Sequence, residues 1–188
     1  MSSTPSDPYH KAVEEFVLLW GDMASAWGIN KTMAQIHALL YAESAPMDAD
    51  SIMENLGISR GNVSMNLRNL LQWQLIHKVH YKGERREFYT AEKEVWTLVS
   101  TLIRERQQRE IAPIRKRLED LERNFGKQPF DRPESREFQE RIHDFTEFLV
   151  MFERFTDAML PYIHKRHLGF LKKLVKMAEA HQSWKERS

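Results

Sequence analysis

The most constraining feature of the sequence is the stretch of residues 48–90, in which two short helical segments are joined by a tight turn. Either Asp48 or Asp50 can cap the first helix, and Gly57 supplies the left-handed backbone conformation that ends it. Ser59 is placed to cap the second helix. Apolar residues recur in both helices at three- and four-residue spacing, namely Ile52, Met53 and Leu56, then Val63, Leu67, Leu70 and Leu71.

After Trp73 the apolar period becomes that of extended strands. Leu75-Ile76 with Val79 to Tyr81, and then Phe88-Tyr89, indicate two strands joined by the basic turn Lys-Gly-Glu-Arg-Arg at 82–86. A helix pair followed by a basic hairpin is the winged helix-turn-helix arrangement, whose usual role is to read duplex DNA. We therefore predict a mainly α fold, with a winged helix-turn-helix, a small β-hairpin wing and a C-terminal helical dimerisation region.

The charge distribution agrees with a nucleic-acid partner. Residues 57–90 contain six basic and two acidic residues, although the formal net charge of the whole chain is only +1. The chain has no cysteine, which excludes disulfides and thiolate zinc sites. No apolar run approaches the roughly 20 residues of a membrane helix. Because no export signal is recognisable, we expect a cytoplasmic protein.

Helical stripes flank the central stretch on its N-terminal side. A first helix ends at Gly28, and Asn30 or Thr32 begins a second one that ends near Pro46. The predicted inward positions are Val13, Phe16, Val17, Trp20, Met23, Ala24 and Trp27, then Met33, Ile36, Leu39, Leu40 and Tyr41. The expected organisation is a flexible tail at residues 1–8, a winged domain at 9–94, and a linker helix with a helical dimerisation region at 95–188.

The C-terminal half is predicted to be helical throughout. Residues 104–110 are entirely polar, and Pro113 should kink the helix or begin a new one. A loop at 126–133 precedes a helix that begins at Pro133 and bends at Pro161. The inward positions are Val95, Leu98, Val99, Leu102, Ile103, Ile111, Ile114, Leu118, Leu121, Phe125, Phe138, Ile142, Phe145, Leu149, Phe152, Phe155, Met159, Ile163, Leu168, Leu171, Leu174, Val175 and Ala178.

These apolar stripes are more than a few helices of one chain can cover, which favours a second chain as their partner. A twofold homodimer would present two winged DNA-binding domains to a palindromic operator. The alternative is that the C-terminal helices pack on their own winged domain. The predicted dimerisation residues are Ile114, Leu118, Leu121, Phe138, Ile142, Phe145, Leu149, Phe152, Leu171 and Leu174.

The second helix of the pair supplies the predicted DNA contacts, because its N-terminal side chains point most directly at base edges. Arginine pairs with guanine, asparagine with adenine, and Met65 can lie against a thymine methyl group. Basic residues at the wing tip can reach a phosphate or the minor groove. The predicted contacts are Ser59, Arg60, Gly61, Asn62, Ser64, Met65, Asn66, Arg68, Lys82, Arg85 and Arg86. The alternatives are that Ser59 is only a helix cap and that the basic hairpin tip is only a solvated turn.

The stretch GISRGNVSMNLRNLLQWQLIHKVHYKGERREFYTAEKEVWTLV resembles the winged-helix segment of MarR-type transcriptional regulators, and more narrowly their GbsR-like branch. The similar positions are Gly57-Ile58-Ser59, Gly61-Asn62-Val63-Ser64, Asn66-Leu67-Arg68, the turn 82–86, Tyr89 and Trp96. The resemblance covers about residues 12–114, and beyond it only the helical, Phe- and Leu-rich character agrees. It implies a homodimeric DNA-binding regulator, commonly a repressor, of genes for uptake or synthesis of choline, glycine betaine and other compatible solutes.

Other functions find little support in the sequence. Aromatic faces can cage a quaternary ammonium group, so Trp20, Trp27, Trp73 and Trp96 are candidate effector residues, although core filling explains each of them as well. No phosphate loop, HExxH or GxSxG motif is present, so we expect no enzyme, catalytic residue or cofactor. We read the histidines at 143, 164 and 167 as surface residues and expect no metal site. The remaining alternatives are an architectural DNA-binding protein and a winged-helix protein-interaction module without DNA binding.

Overall fold

A computed structural model describes residues 7–125 and 133–164, together with Gly169, Lys173, Lys176, Met177 and Glu179. The chain divides into two compact units, Met1–Leu98 and Val99–Ser188. The predicted loop at 126–133 lies outside the described residues except for Pro133, and so does the predicted last stripe except for Ile163. No helix among the described residues is long and apolar enough to cross a membrane.

The first unit is a helical core with a small antiparallel sheet. Its elements are α1 (Pro8–Ala26), α2 (Lys31–Ala42), β1 (Met47–Asp48), α3 (Ala49–Leu56), α4 (Arg60–Gln72), β2 (Ile76–Val79), β3 (Phe88–Ala91) and the beginning of α5 (Val95–Arg106). The strand order is β1-β3-β2, and β3 pairs with both neighbours. The predicted winged helix-turn-helix fold is confirmed. Strand β1 was not predicted, because two residues are too few to show a period.

Local side-chain bonds set the ends of the helices. Asp48, rather than Asp50, caps α3 by accepting a hydrogen bond from the backbone N–H of Ser51 at 2.8 Å. Gly57 ends α3 with φ +62°, as the sequence predicted. The Ser59 hydroxyl caps α4 by accepting a bond of 3.4 Å from the N–H of Asn62. Asn30, rather than Thr32, caps α2.

The core of the first unit is formed where α1 to α4 meet the sheet. Its most deeply buried side chains are Ile36, Leu40, Ile52, Val63, Asn66, Leu70 and Ile76. Two positions predicted to face inward, Met23 on α1 and Trp27 at its C-cap, are exposed. The reason is that α1 packs mainly against α2, so only a narrow stripe is covered. Gly21 lies on that stripe, and a Cβ there would meet the Gln35 side chain at 2.7 Å.

The second unit contains the rest of α5, a π-helical turn (Gln107–Ile111), α6 (Ala112–Phe125) and α7 (Pro133–His164). At Pro113 a new element, α6, begins one residue earlier, but the backbone stays helical from α5 through the π turn, since Arg106 and Ala112 on either side of that turn have helical angles. The predicted polar stretch 104–110 is not entirely solvent-facing. Gln107 is buried, and its amide donates to Asp157 Oδ1 at 3.2 Å.

Helix α7 packs on α6 along one face. Arg115 Nε of α6 donates to Glu153 Oε2 at 2.8 Å, and the Phe125 and Phe138 rings meet edge to face at 5.6 Å between centroids. Leu149 and Leu160 are buried on α7. The helix continues through Pro161 to His164, so this proline does not end it.

Candidate nucleic-acid interface

Helix α4 presents one polar face to solvent, and most of the predicted reading residues lie on it. The exposed positions are Ser59 at the cap, then Arg60, Gly61, Ser64, Met65 and Arg68. Asn62 is half-buried on the edge of this face. The opposite face is held in the core by Val63, Leu67 and Leu70. The helix is therefore fixed from behind, and its open face stays available for a partner.

Asn66 is a correction to the predicted contact set. Its side chain is 0% exposed, so it is not available to contact a base in this conformation. Its Nδ2 donates to the backbone oxygen of Asn62 at 2.9 Å and to Asn62 Oδ1 at 2.7 Å. Asn66 thus holds the half-buried Asn62 side chain in place. Helical spacing placed it at the edge of the buried stripe, and the packing of the neighbouring helices covered that edge.

The first residue of α4 has an acidic neighbour on α3. Arg60 Nη2 donates to Asp50 Oδ1 at 2.5 Å, and both side chains are substantially exposed. This pair joins the first turn of α3 to the first turn of α4, across the tight turn that contains Gly57. The Asp50 carboxylate engages one edge of the guanidinium, which leaves its other N–H groups for a partner.

The wing is the loop between β2 and β3, and its tip carries unpaired positive charge. Gly83 has φ +90°, a conformation that favours glycine at the tip of the turn. Lys82 and Arg85 are exposed on either side of it. Among the residues that the structure describes, the side chains of Lys82, Arg85 and Arg68 form no ion pair or hydrogen bond. These three cations are consequently available to an anionic partner.

Arg86, the third predicted wing contact, is engaged within the protein. Its Nη1 donates to Asp48 Oδ2 at 2.5 Å, its Nε lies 3.6 Å from Glu84 Oε2, and its guanidinium lies 5.6 Å from the centre of the Phe88 ring. The side chain is still 60% exposed. Arg86 therefore ties the wing to the start of α3 as well as facing solvent.

A second network stiffens the strands of the wing, and no local sequence pattern predicts it. Lys78 Nζ on β2 donates to Glu87 Oε1 at 2.6 Å, and the Tyr89 hydroxyl donates to Glu87 Oε2 at 2.7 Å. The bond from Lys78 is the main cause that lowers the pKa of Glu87. Burial, with the bond to Glu87, raises the pKa of Tyr89 to about 12. The strand pair thus keeps its register while the tip stays open.

Lys93 has a structural role that its neighbours in sequence do not predict. Its ammonium group donates to the backbone oxygens of Leu40, Tyr41 and Glu43 at 2.6–2.7 Å. These carbonyl groups are at the C-terminal end of α2, where a helix lacks partners for them. A lysine 50 residues away in sequence carries no local pattern that would reveal this role.

The four tryptophans proposed as effector residues lie on separate parts of the first unit and α5. Trp20 stacks on buried His37 with 6.2 Å between ring centroids, and exposed Trp27 follows the end of α1. Trp73 is the C-cap of α4, and Trp96 lies in the first turn of α5. A cavity of about 250 Å³ between α1, α2 and α3 is lined by His10, Val13, Glu14, Val17, Leu18, Gln35, Leu39, Glu43, Asn55 and Leu56, and by none of these tryptophans.

Eight of the ten predicted dimerisation residues are among the described residues, and they differ in burial. Ile114, Phe138, Phe145 and Phe152 are exposed, and Leu118, Leu121 and Ile142 are half-buried. Leu149 is a correction, since it is only 5% exposed and is already covered within its own chain. Leu171 and Leu174 lie outside the described residues.

A helix pair with an exposed polar second helix, followed by a hairpin with free cations at its tip, defines a winged helix-turn-helix protein. The fold matches a solved structure described as a transcriptional regulator, with a TM-score of 0.65 and 19% identity over 82% of this chain and 99% of that one. At this identity the match establishes the fold.

Two curated proteins of Bacillus subtilis (strain 168) are similar in sequence. One carries the provisional name HTH-type transcriptional regulator YvaV and is 24% identical over 102 residues, which are 54% of this chain and 58% of that protein. The other, the HTH-type transcriptional repressor OpcR, is 23% identical over 96 residues, 51% of this chain and 52% of that protein. The matches thus span about half the length of each relative. No protein-family model matches the chain.

Proposed function

We propose that this chain is a sequence-specific regulator of transcription that binds duplex DNA through α4 and the wing. The proposal rests on three exposed cations on α4 and the wing, Arg68, Lys82 and Arg85. Their side chains have no ion-pair or hydrogen-bond partner among the described residues. Similarity to two proteins named as HTH-type regulators supports the same class. Neither name is that of an enzyme.

In the proposed complex α4 enters the major groove, and the wing follows the backbone. Arg60 would pair with guanine and Asn62 with adenine, while Met65, 47% exposed, would contact a thymine methyl group. Gly61 leaves room for close approach, because nothing lies within 4 Å of a Cβ placed there. Ser59, Ser64 and the α4 N-terminus would bind phosphate. Lys82 and Arg85 would bind a phosphate or the minor groove.

The proposal includes a homodimer whose two winged domains bind the two halves of a palindromic operator. Repression would follow because the bound dimer occludes the operator. One of the similar proteins is named a repressor. The resemblance to the GbsR-like branch supports osmoprotectant uptake or synthesis genes as the targets, and a cytoplasmic location. A ligand or a change in osmolarity would modulate DNA binding by changing the distance between the two winged domains.

The first experiment selects a preferred site from a random duplex library and measures affinity for that site and for a scrambled duplex as salt is varied. Replacing Lys82 and Arg85 with alanine should weaken both complexes alike and reduce the magnitude of the salt slope by about 2. Replacing Arg68 should act in the same direction. Lys11→Ala, on the exposed surface of α1, is the matched control. An unchanged salt slope in all variants would contradict DNA binding through this face.

The selected sequence also separates the proposal from its alternatives. A footprint with dyad symmetry supports a regulator that reads an operator. Binding without sequence preference would instead identify an architectural protein, and the absence of duplex binding would leave a protein-interaction module. Calorimetry with choline, glycine betaine and ectoine tests the effector. No heat and no change in operator affinity would exclude these three solutes.

A further inference from the structure

Helix α7 has two apolar faces, and among the residues that the structure describes only one of them is covered. The covered face packs on α6 and includes Thr146, Leu149 and Leu160, which are 6%, 5% and 3% exposed. The Arg115–Glu153 ion pair at 2.8 Å lies along the same face. This packing fixes the rotation of α7 about its own axis, and with it the direction of the second face.

The second face, which we call the α7 seam, consists of residues spaced alternately by three and four. They are Phe145, Phe148, Phe152, Phe155, Met159 and Tyr162. Their mean spacing of about 3.5 residues is the heptad period of a helix that pairs with another helix. Phe148 is 60% exposed and Phe155 is 62% exposed, and Met151 beside them reaches 71%. Met159 is half-buried, and the other five seam residues are exposed. A heptad of large apolar side chains that is mostly exposed indicates a missing helical partner.

We propose that the α7 seam is covered by the α7 helix of a second copy of this chain, in antiparallel orientation. The proposal rests on the homodimer in the proposed function and names the surface that forms it. A second copy fits because a heptad seam is complementary to another seam of the same period. At about 200 Å² for each large side chain, the exposed fractions of the seam residues together with Met151 leave roughly 600 Å² per copy. The two copies together would bury about 1,200 Å², which reaches the range of stable interfaces.

The charges on α7 favour the antiparallel orientation. Arg141 occupies the seam position before Phe145 and is held by Glu137 at 3.1 Å. In a parallel pair in register, Arg141 would face its own copy, a like-charge contact in the seam. In an antiparallel pair Arg141 faces Met159 of the partner subunit. The same register places Phe145 against the partner's Phe155.

The register also identifies the residue at the twofold axis. When Phe148 faces the partner's Phe152, the two copies of Met151 flank the axis on the side of α7 that α6 does not occupy. Leu149 flanks the axis on the other side, where it is already buried. Met151 is therefore the side chain that meets its own copy.

Single cysteines test this geometry, since the chain has none of its own. Mild oxidation of the full-length Met151→Cys variant should give a covalent dimer in high yield. Phe145→Cys should not, because in the antiparallel register the two positions lie about 15 Å apart along the helices. Glu147→Cys, exposed on α7 away from the seam, is the matched control. Efficient cross-linking of Phe145→Cys with little at Met151→Cys would overturn the antiparallel pairing.

Sedimentation of the intact chain tests whether the seam forms the dimer. Phe148→Glu with Phe155→Glu should raise the dimer dissociation constant at least 100-fold, while circular dichroism stays unchanged because both side chains are exposed. Glu147→Lys should leave the constant unchanged. A dimer that survives the double substitution would overturn the α7 seam and leave the homodimer standing. A wild-type chain that is monomeric at tens of micromolar would overturn the homodimer itself.

Discussion

Arg86 Nη1 lies 2.5 Å from Asp48 Oδ2, which joins the wing to the carboxylate that caps α3. The two residues are 38 positions apart in sequence. Asp48 also pairs with β3 as part of β1, opposite Phe88. One buried carboxylate thus holds a helix end, a strand and the base of the wing. The contact therefore ties the base of the wing to the start of α3.

Replacing Asp48 should separate its two roles. Asp48→Asn keeps a side chain that can cap α3 but removes the charge that Arg86 binds, and should cost about 1 kcal/mol of stability. Asp48→Ala removes both, and should cost about 2–4 kcal/mol. Urea unfolding at pH 7 measures the difference. Glu54→Gln on the exposed side of α3 is the control. Equal stability of the alanine variant and the wild type would contradict the assignment.

The difference in stability between wild type and Asp48→Asn should also depend on pH. Hydrogen bonds from Ser51, and then the charge of Arg86, hold the pKa of Asp48 below its ordinary value of 3.8. Because the folded pKa is lowered, the carboxylate stabilises the fold above the unfolded value, and this contribution is lost as pH falls through 3.8 toward the folded pKa. The stability gap between wild type and Asp48→Asn should therefore shrink between pH 5 and pH 3. A gap that is constant with pH would contradict the role of the charge.

Asn66 and Met65 are neighbours in sequence with opposite expected roles. Asn66→Ala should cost about 2 kcal/mol, since it opens a cavity and leaves the Asn62 oxygen unpaired. Met65→Ala should change stability by less than about 0.5 kcal/mol, because the side chain is at the surface. Only Met65→Ala should alter base preference in a duplex selection. A stable Asn66→Ala variant with relaxed base preference would contradict this division.

His37 should make the first unit sensitive to mild acid. It is 2% exposed between the Trp20 and Tyr41 rings, and burial, with the nearby Lys93 charge, lowers its pKa to about 4. The unfolded chain takes up a proton first, near pH 6.5, so stability falls as pH decreases from 6.5 toward 4. The loss between pH 7.5 and pH 5 should be about 2 kcal/mol.

The His37→Phe variant isolates this effect, since it keeps a ring between Trp20 and Tyr41 but cannot bind the proton. Urea midpoints of wild type and variant should diverge with pH, the wild type losing more stability toward pH 5. His10→Gln, exposed on α1, is the matched histidine control. Parallel pH profiles for wild type and His37→Phe would show that His37 is not the group responsible.

Replacing Gly57 and Gly61 with alanine should change the stability of the fold in opposite directions. Gly57 has φ +62°, so Gly57→Ala places a side chain in the left-handed region and should cost about 1 kcal/mol. Gly61 lies within α4 with open space around a Cβ, so Gly61→Ala should stabilise by about 0.5–1 kcal/mol. Thermal unfolding measures both. A destabilised Gly61→Ala variant would indicate strain at that position.

The features that could be predicted were those formed between residues close in sequence. Gly57 and Ser59 have the expected roles because a helix end is determined by bonds to residues within a few positions. The buried stripe of α4 followed from its period, as Val63, Leu67 and Leu70 show. The wing strands followed from the change of period after Trp73.

The remaining features depend on partners distant in sequence. Asn66 lies at the edge of a stripe, and only the neighbouring helices decide that it is covered. Lys93 caps α2, and Arg86 binds Asp48, through contacts that no local period encodes. On α7 the sequence shows apolar positions but does not say which of them face α6 and which face outward. Period and capping are local properties of a chain, whereas the side of a helix that is covered depends on what the rest of the fold brings against it.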